Sequence, residues 1–173
     1  LACFLAQEYE RKHLIILDDA GQFGEQSGDN WVLHTAQSRF HTLPAKYTAL
    51  AELVSPDTEI IAVWEDDDVY LPHHLTALVD AHLCSVASGG AEYYVPKKIF
   101  SNYGCTRGET VEESAIGRFH GAWGFSKRLF DAVGGYPDTG QLNFDQQLGV
   151  RLSTADFAGG GVKHYDDNRS PSY

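Results

Sequence analysis

The sequence predicts an α/β fold in which helices flank a mostly parallel sheet. Up to residue 90, short apolar runs typical of strands alternate with segments that have helical spacing. Two of the apolar runs, residues 14–17 and 60–64, end directly in carboxylates. Ligands of open α/β sheets bind beyond the carboxyl ends of the strands, so acids at these positions favour a binding site.

Each element is predicted from a local pattern. The run at residues 60–64 is rich in β-branched types, which is typical of a strand buried on both faces. Pro44 suits the first turn of a helix, and Gly89 with Gly90 ends the next one. The predicted strands are residues 14–17, 31–34, 60–64, 92–95, 99–103, 121–126 and 162–165, and the predicted helices are residues 43–54, 72–85, 127–133 and 143–152.

Length and charge limit the classes of function. With 173 residues, the chain suits one domain, and we predict that residues 1–173 form it. The net charge of -11 argues against nucleic acid and anionic membranes as partners, because phosphate backbones bind basic patches. No apolar run is long enough to span a bilayer, so we predict no membrane segment. The three cysteines have no metal-type spacing and favour a reducing compartment, which predicts a cytoplasmic location.

Four consecutive carboxylates, residues 65–68, follow the strand predicted at residues 60–64. Carboxylate oxygens are ligands for Mg²⁺ and Mn²⁺, and such an ion would bridge to phosphates. An acidic run of this kind also occurs as a solvated turn. The strand before the acids and the helix that follows Pro72 favour the metal site over the turn.

Several motifs occur in an order that characterises a known enzyme family. They are a strand ending in paired Asp (residues 14–19), a helix start similar to Ala-Arg-Asn (residues 45–47), a DXD-like region (residues 65–68), the segment before a catalytic helix (residues 120–128 and 133–136) and a helix similar to Glu-Asp-x-Asp-Leu-x-x-Arg (residues 144–151). Together they resemble the family 2 glycosyltransferases, which use nucleotide sugars. The resemblance implies a GT-A type fold with a Rossmann-like, mostly parallel sheet.

The same resemblance implies an inverting, hexosyltransferase-like enzyme. It would move a sugar from a nucleotide-diphosphate donor to a hydroxyl acceptor with Mn²⁺ or Mg²⁺ bound. Asp67 and Asp68 are the predicted metal ligands, and Asp66 is predicted to contact the cofactor. His164 is also predicted as a ligand, because some members of the family complete the metal shell with a histidine beyond the catalytic helix. The alternative for His164 is an ordinary core or surface histidine.

Three further residues take roles from the resemblance. Asp18 matches the carboxylate that binds the nucleobase, and Lys46 matches an arginine that reaches the nucleotide. The alternatives are a turn aspartate and a surface lysine. Asp145 matches the general base, although an acid in the first turn of a helix is also favoured by the helix dipole. The chain departs from the family motif at Phe144 and Gln147, where the family has acids.

These departures leave two other functions open. One is a catalytically inactive domain that binds a nucleotide or a carbohydrate. The other is a metal-dependent phosphohydrolase or nucleotidyltransferase that uses the same acids. The family's first strand should precede Leu1, so we expect either a fragment of a longer chain or a rearranged piece that supplies this edge.

Overall fold

Five α-helices are present in the computed structural model, which describes residues 1–102, 109–138, 143–155, 161–166 and 171. Across these residues, no helix combines the length and the apolar character that a membrane crossing requires. The helices are α1 (Ala2–Leu5), α2 (Leu43–Glu52), α3 (His74–Ala87), α4 (Lys127–Ala132) and α5 (Phe144–Thr154).

The beginnings of α2 and α4 are fixed by their own sequences. The hydroxyl of Thr42 accepts a hydrogen bond from the backbone N–H of Ala45 at 3.2 Å, and Pro44 lies in the first turn of α2. At α4, the hydroxyl of Ser126 accepts one from the N–H of Leu129 at 3.0 Å. Such caps satisfy backbone donors that the helix itself leaves unpaired, so both helices begin within one residue of where their sequences predict.

The strands of the described residues form three sheets. In the first, β1 pairs in parallel with β3, and β2 pairs antiparallel with β3. The second has the order β4-β8-β5-β9, and the third is the antiparallel pair β6 and β7. The strands are β1 (Leu14–Asp18), β2 (Gln26–Gly28), β3 (Trp31–Thr35), β4 (Ile60–Ala62), β5 (Tyr93–Pro96), β6 (Lys98–Ser101), β7 (Val111–Ser114), β8 (Gly124–Ser126) and β9 (Lys163–Tyr165).

The predicted GT-A type fold with a Rossmann-like, mostly parallel sheet is wrong. Only β1 with β3 and β5 with β9 are parallel pairs in the described part of the chain, and the other pairs are antiparallel. One cause is local, because the two residues Asp29 and Asn30 connect β2 to β3, and a connection this short forces antiparallel pairing. The other is long-range, because β8 lies between β4 and β5 and runs against both.

The strand predicted at residues 60–64 is shorter and more exposed than expected. Regular pairing covers only Ile60–Ala62, and all three residues are half-buried, whereas Val63 is 5% exposed. Among the described residues, β4 has a neighbouring strand on one side alone. An apolar run predicts burial on both faces, but it does not predict that one edge lacks a partner.

The main core lies around β5, β8 and the helices α4 and α5. Aromatic side chains fill much of it, and Phe125 stacks on Phe130 with 5.2 Å between the ring centroids. A second, smaller group of buried residues lies under α3. The fully buried members of the two groups include Tyr94, Phe125, Leu78, Ile99, Leu148 and Leu152.

Candidate functional site

Three acids gather in the loop that follows β4. Glu65, Asp67 and Asp68 each offer one carboxylate oxygen, and these oxygens all lie within 4.8 Å of one another. Glu65 and Asp68 are half-buried, whereas Asp67 is exposed. Three carboxylate oxygens at this separation form a set of hard ligands that suits a divalent cation. We call these three residues the acidic group.

A buried tyrosine fixes the loop that carries the acidic group. The hydroxyl of Tyr70 accepts a hydrogen bond from the backbone N–H of Glu65 at 2.8 Å and donates one to the carbonyl of Gly121 at 3.1 Å. Its ring also stacks on Trp64 with 3.8 Å between centroids. Tyr70 is only 2% exposed, so the loop is tied to the core directly after the strand ends.

Glu65 connects the acidic group to a buried histidine. Nδ1 of His120 lies 3.1 Å from Oε1 of Glu65, and Nε2 lies 3.0 Å from the hydroxyl of Tyr136. A carboxylate accepts hydrogen bonds only, so Nδ1 carries a proton in this arrangement. The hydrogen bond from His120 holds the pKa of Glu65 below its usual value, and Tyr47 adds a second donor at 3.3 Å. Glu65 is therefore held as a carboxylate.

The backbone next to His120 is strained. Phe119 has φ of 58°, and within the described residues it is the only non-glycine with positive φ. A left-handed backbone costs a bulky side chain about 1 kcal/mol or more, and such residues cluster at functional sites. The guanidinium of Arg118 covers the ring of Phe119 at 4.5 Å. This conformation begins the short turn His120–Ala122, which directs His120 towards Glu65.

Tyr47 of α2 lies at the centre of the site. Its ring centroid is 5.1 Å from that of His120 and 5.0 Å from that of Tyr136. Burial raises the pKa of Tyr47, and so do the negative charges of Glu65, Asp66 and Asp145. Carboxylates from two distant parts of the sequence therefore act on one hydroxyl. The fold brings the first turn of α5 close to the loop after β4.

Asp145, the predicted general base, lies in the first turn of α5 and is half-buried. Within the part of the chain that the structure describes, its carboxylate has no hydrogen-bond or ion-pair partner. Burial raises the pKa values of Tyr93 and Tyr136, and the negative charge of Asp145 raises them further. Asp145 thus lies near the buried aromatic cluster that includes Tyr93 and Tyr136.

Asp18, predicted to bind a nucleobase, organises the loop after β1. Its carboxylate accepts hydrogen bonds from the backbone N–H groups of Phe23, Ala20 and Gly21 at 2.7, 2.9 and 3.0 Å. The bond from Phe23 is the main reason why the pKa of Asp18 is below its usual value. This geometry is that of a turn aspartate, the alternative that the sequence left open.

Lys46, predicted to reach the nucleotide, forms an ion pair with Asp19. Its Nζ lies 2.7 Å from Oδ1 of Asp19, and Phe40 donates a backbone hydrogen bond to the same carboxylate at 3.3 Å. The bond from Lys46 holds the pKa of Asp19 below its usual value. Asp19 is the more buried partner, with 15% of its side chain exposed against 31% for Lys46.

Helix α2 brings the ends of two strands to one side of the molecule. Lys46 in its first turns contacts Asp19, directly after β1, and its neighbour Tyr47 contacts Glu65, soon after β4. The acids that follow β1 and β4 therefore contact neighbouring residues of one helix.

His164, predicted as a metal ligand, does not lie in the acidic group. It belongs to β9 and lines a separate cavity of about 370 Å³ with Asp80, Lys97 and Asp166. Burial lowers the pKa of His164, and the charge of Lys97 lowers it further. The structure thus gives no support to His164 as a ligand of the ion that the acidic group could hold.

Asp67 and Asp68, two of the predicted metal ligands, lie together in the acidic group. Asp66 and Asp145 lie near the same site, since the charge of each raises the pKa of Tyr47. Sequence patterns predicted no role for His120 in this group, although Glu65 and His120 are joined by a hydrogen bond across 55 positions of the chain. No spacing rule covers such a distance. The sequence placed His120 only in the segment that resembles the one before the catalytic helix (residues 120–128) and predicted no contact with Glu65.

No protein-family model matches the sequence, and no curated protein matches it either. The glycosyltransferase interpretation depends on the motifs and on the geometry of the site, and it stays a prediction.

Proposed function

We propose that this chain is a metal-dependent glycosyltransferase, which moves a sugar from a nucleotide-diphosphate donor to a hydroxyl acceptor. The observation that carries the proposal is that Tyr47 contacts Glu65 of the acidic group at 3.3 Å and also lies near Asp145, whose neighbour Phe144 packs on the Tyr47 ring. A sugar transfer of this kind needs two separate functions, namely charge compensation for the leaving diphosphate and removal of a proton from the acceptor. The site offers carboxylates for both in one place.

The acidic group fits a divalent cation by its chemistry. All of its donor atoms are carboxylate oxygens, which Mg²⁺ and Mn²⁺ prefer. Glu65, Asp67 and Asp68 would hold the ion, and the exposure of Asp67 leaves room for phosphate oxygens. When bound, the ion offsets the charge that develops on the diphosphate as the sugar departs. Glu65 is oriented for this role by its bonds to His120 and Tyr47.

Asp145 is suited to act as the general base. The acceptor hydroxyl oxygen forms a bond to the anomeric carbon while the bond from that carbon to the diphosphate breaks, and the hydroxyl proton passes to the Asp145 carboxylate. This role is supported by the absence of a competing partner for Asp145 within the described residues. The ring of Tyr47, which is half-buried and packs on Phe144 with 5.6 Å between centroids, offers a sugar an apolar group to pack against.

The test is the release of UDP from UDP-sugars in the presence of Mn²⁺ and a panel of hydroxyl acceptors. The proposal predicts UDP release that stops when the metal is chelated. The Asp145→Asn variant should release UDP at a rate that is lower by about 10²-fold or more, because a general base contributes at least that factor to the rate. Asp29→Asn is the matched control, since Asp29 is exposed in the turn between β2 and β3.

Three results would contradict the proposal. UDP release that Asp145→Asn leaves unchanged would exclude Asp145 as the base. Binding of every donor without release would favour an inactive binding domain. Formation of inorganic phosphate or pyrophosphate instead of a glycoside would favour a phosphohydrolase or a nucleotidyltransferase.

A further inference from the structure

The chain between Ala115 and Trp123 contains two residues with left-handed backbone. Gly117 has φ of 71°, and Phe119 has φ of 58°. Gly117 lies in a turn that the N–H of Arg118 closes by donating to the carbonyl of Ala115 at 3.0 Å. Glycine adopts positive φ about as readily as negative φ, whereas phenylalanine does not. The conformation of Phe119 therefore needs support from its surroundings.

Arg118 provides such support through its side chain. Cζ of the guanidinium lies 4.5 Å from the centroid of the Phe119 ring. Phe119 is half-buried and packs against the main core. A cation above an aromatic ring is attracted to the ring face. Rotation of φ at Phe119 would move its ring relative to Arg118, so the contact favours the φ that the structure has.

Glu113 of β7 fixes the position of this guanidinium. Nη1 of Arg118 donates to Oε2 of Glu113 at 2.6 Å. Because the side chain of Arg118 is 48% exposed, it would have several rotamers in solvent without this bond. Hydrogen bonds from Ser101 and Arg118 hold the pKa of Glu113 below its usual value. The third sheet thus carries a carboxylate that orients Arg118.

The carbonyl groups of Arg118 and Phe119 accept hydrogen bonds from the turn that carries His120. The carbonyl of Arg118 accepts one from Nε1 of Trp123 at 3.2 Å, and that of Phe119 accepts one from the N–H of Ala122 at 3.0 Å. Trp123 is 4% exposed, and its ring centroid lies 5.2 Å from that of His120. The backbone at Phe119 therefore determines where His120 lies relative to the buried Trp123.

We propose that Arg118 is a positioning residue of the candidate site, which acts on Glu65 through the turn that carries His120. The guanidinium, oriented by Glu113, stabilises the left-handed conformation of Phe119. This conformation directs Nδ1 of His120 to Oε1 of Glu65, 3.1 Å away. The inference rests on the proposed function in so far as Glu65 serves the reaction, but the orientation of His120 is measurable without donor or metal.

The first measurement is nitrogen NMR of the full chain with labelled histidine and without metal. His120 is buried and has its Nδ1 proton bonded to Glu65, so this proton should give a slowly exchanging ring resonance. His120→Gln identifies the resonance by its loss. Arg118→Gln and Glu113→Gln should each shift or broaden it, because the imidazole is then no longer held in one orientation. Arg118→Lys keeps the cation and should change it less.

Glu112→Gln is the matched control for Glu113→Gln. Each variant removes one ion pair of the third sheet, since Glu112 binds Lys98 at 2.6 Å. Adjacent residues of a strand point to opposite faces, so Glu112 lies on the other face from Glu113. The two variants should unfold at similar urea concentrations, and Glu112→Gln should leave the His120 resonance unchanged. Equal changes of this resonance in both would assign the effect to the stability of the sheet and overturn the proposal.

The Phe119→Gly variant tests whether Arg118 acts through Phe119. Glycine adopts the left-handed backbone readily, so this variant should keep the His120 resonance. Arg118→Gln should then have no further effect in the Phe119→Gly background, a non-additivity that a double-mutant cycle measures. Loss of the resonance in Phe119→Gly alone would overturn the proposal, because packing of the ring would then orient His120. An equal effect of Arg118→Gln in both backgrounds would also overturn it.

Cation binding separates this inference from the proposed function. Changes along coupled contacts typically alter an affinity by about two- to thirtyfold, and Arg118→Gln should lower the Mn²⁺ affinity by a factor in this range. Absence of Mn²⁺ binding by the unmodified chain would contradict the proposed function, whereas the His120 resonance would still decide whether Arg118 orients His120. Unchanged Mn²⁺ affinity in an Arg118→Gln variant whose His120 resonance has shifted would overturn the contribution of Arg118 to the site.

Discussion

Nδ1 of His120 lies 3.1 Å from Oε1 of Glu65, and this contact joins the loop before β8 to the loop after β4. Each partner has a second bond that fixes its orientation, from Tyr136 to His120 and from Tyr47 to Glu65. The acidic group is therefore not a freely solvated cluster, since one of its three members is anchored in the aromatic core. The position of Glu65 therefore depends on two residues outside the acidic group, His120 and Tyr47.

We expect the two amide replacements of His120 to separate its roles. The side-chain amide of Asn occupies roughly the position of Nδ1, so His120→Asn keeps a donor to Glu65. The amide of Gln reaches roughly the position of Nε2, so His120→Gln keeps a partner for Tyr136 and loses the bond to Glu65. Residues that orient metal ligands typically contribute about 10- to 100-fold to affinity. The Mn²⁺ affinity of His120→Gln, measured by calorimetry, should fall about tenfold or more, and that of His120→Asn should fall less.

Unfolding in urea provides the control for this comparison. His120 is buried, so either replacement should lower the free energy of unfolding by about 1–3 kcal/mol. Equal losses of Mn²⁺ affinity in the two variants would show that His120 supports the site only through general stability.

Removing one carboxylate of the acidic group should weaken cation binding directly. Asp67→Asn and Glu65→Gln each replace a charged oxygen by a neutral amide of nearly the same size. We expect each to lower Mn²⁺ affinity by more than about tenfold, since a ligand contributes more than a residue that orients it. Asp67 is exposed, so its replacement should leave the free energy of unfolding nearly unchanged. Asp29→Asn, outside the group, should leave Mn²⁺ affinity unchanged, and unchanged affinity in Asp67→Asn would exclude this cation site.

Local signals in the sequence were sufficient for the helices but not for the sheets. The predicted helix at residues 43–54 corresponds to α2 (Leu43–Glu52), because Thr42 and Pro44 act on their immediate neighbours. An apolar run predicts a strand, but it carries no information about the direction of the next strand in the sheet. The insertion of β8 between β4 and β5 is a long-range event, which explains why the mostly parallel sheet was wrongly predicted.

The candidate site likewise has one part that local sequence signals predict and another part that they do not. The acids at residues 65–68 were evident because they are consecutive and follow a strand. Their connection to His120 was not, since the hydrogen bond between Glu65 and His120 spans 55 positions. The turn around Asp18 is local instead, because its carboxylate accepts hydrogen bonds from Phe23, Ala20 and Gly21, which follow it closely in the chain. A sequence pattern can therefore indicate such a turn.

His74 should make the stability of the protein depend on pH between 6.5 and about 4. The side chain is 0% exposed, and burial lowers its pKa from 6.5 to about 4. The unfolded chain therefore binds a proton at this residue before the folded chain does, so stability is present above pH 6.5 and is lost as the pH falls. Each pKa unit corresponds to about 1.4 kcal/mol, which gives a loss of about 3 kcal/mol over the full range.

The measurement is urea unfolding at pH 7.5 and pH 4.5. His74→Gln should reduce the difference between the two free energies of unfolding, because it removes the titrating group. His13→Gln is the matched control, since His13 is exposed and should leave the difference as it is. A difference that persists in His74→Gln would assign the pH dependence to other groups, such as Glu65, whose pKa is also below its usual value.

Gly124 of β8 should not tolerate a side chain. A Cβ at this position would lie 2.4 Å from Cδ1 and 3.0 Å from Cγ of Leu78, so rotation of the terminal methyl groups alone would not relieve the contact. Leu78 is 1% exposed, and it has to repack when the new atom is added. We expect Gly124→Ala to lower the free energy of unfolding by about 1–3 kcal/mol, as is typical of an overpacked core. Gly24→Ala is the matched control, because an added Cβ there meets nothing within 4 Å, and restricting the unfolded chain should leave its stability equal or slightly higher. Equal unfolding free energies of the two variants in urea would mean that β8 and α3 are not packed as closely as this contact requires.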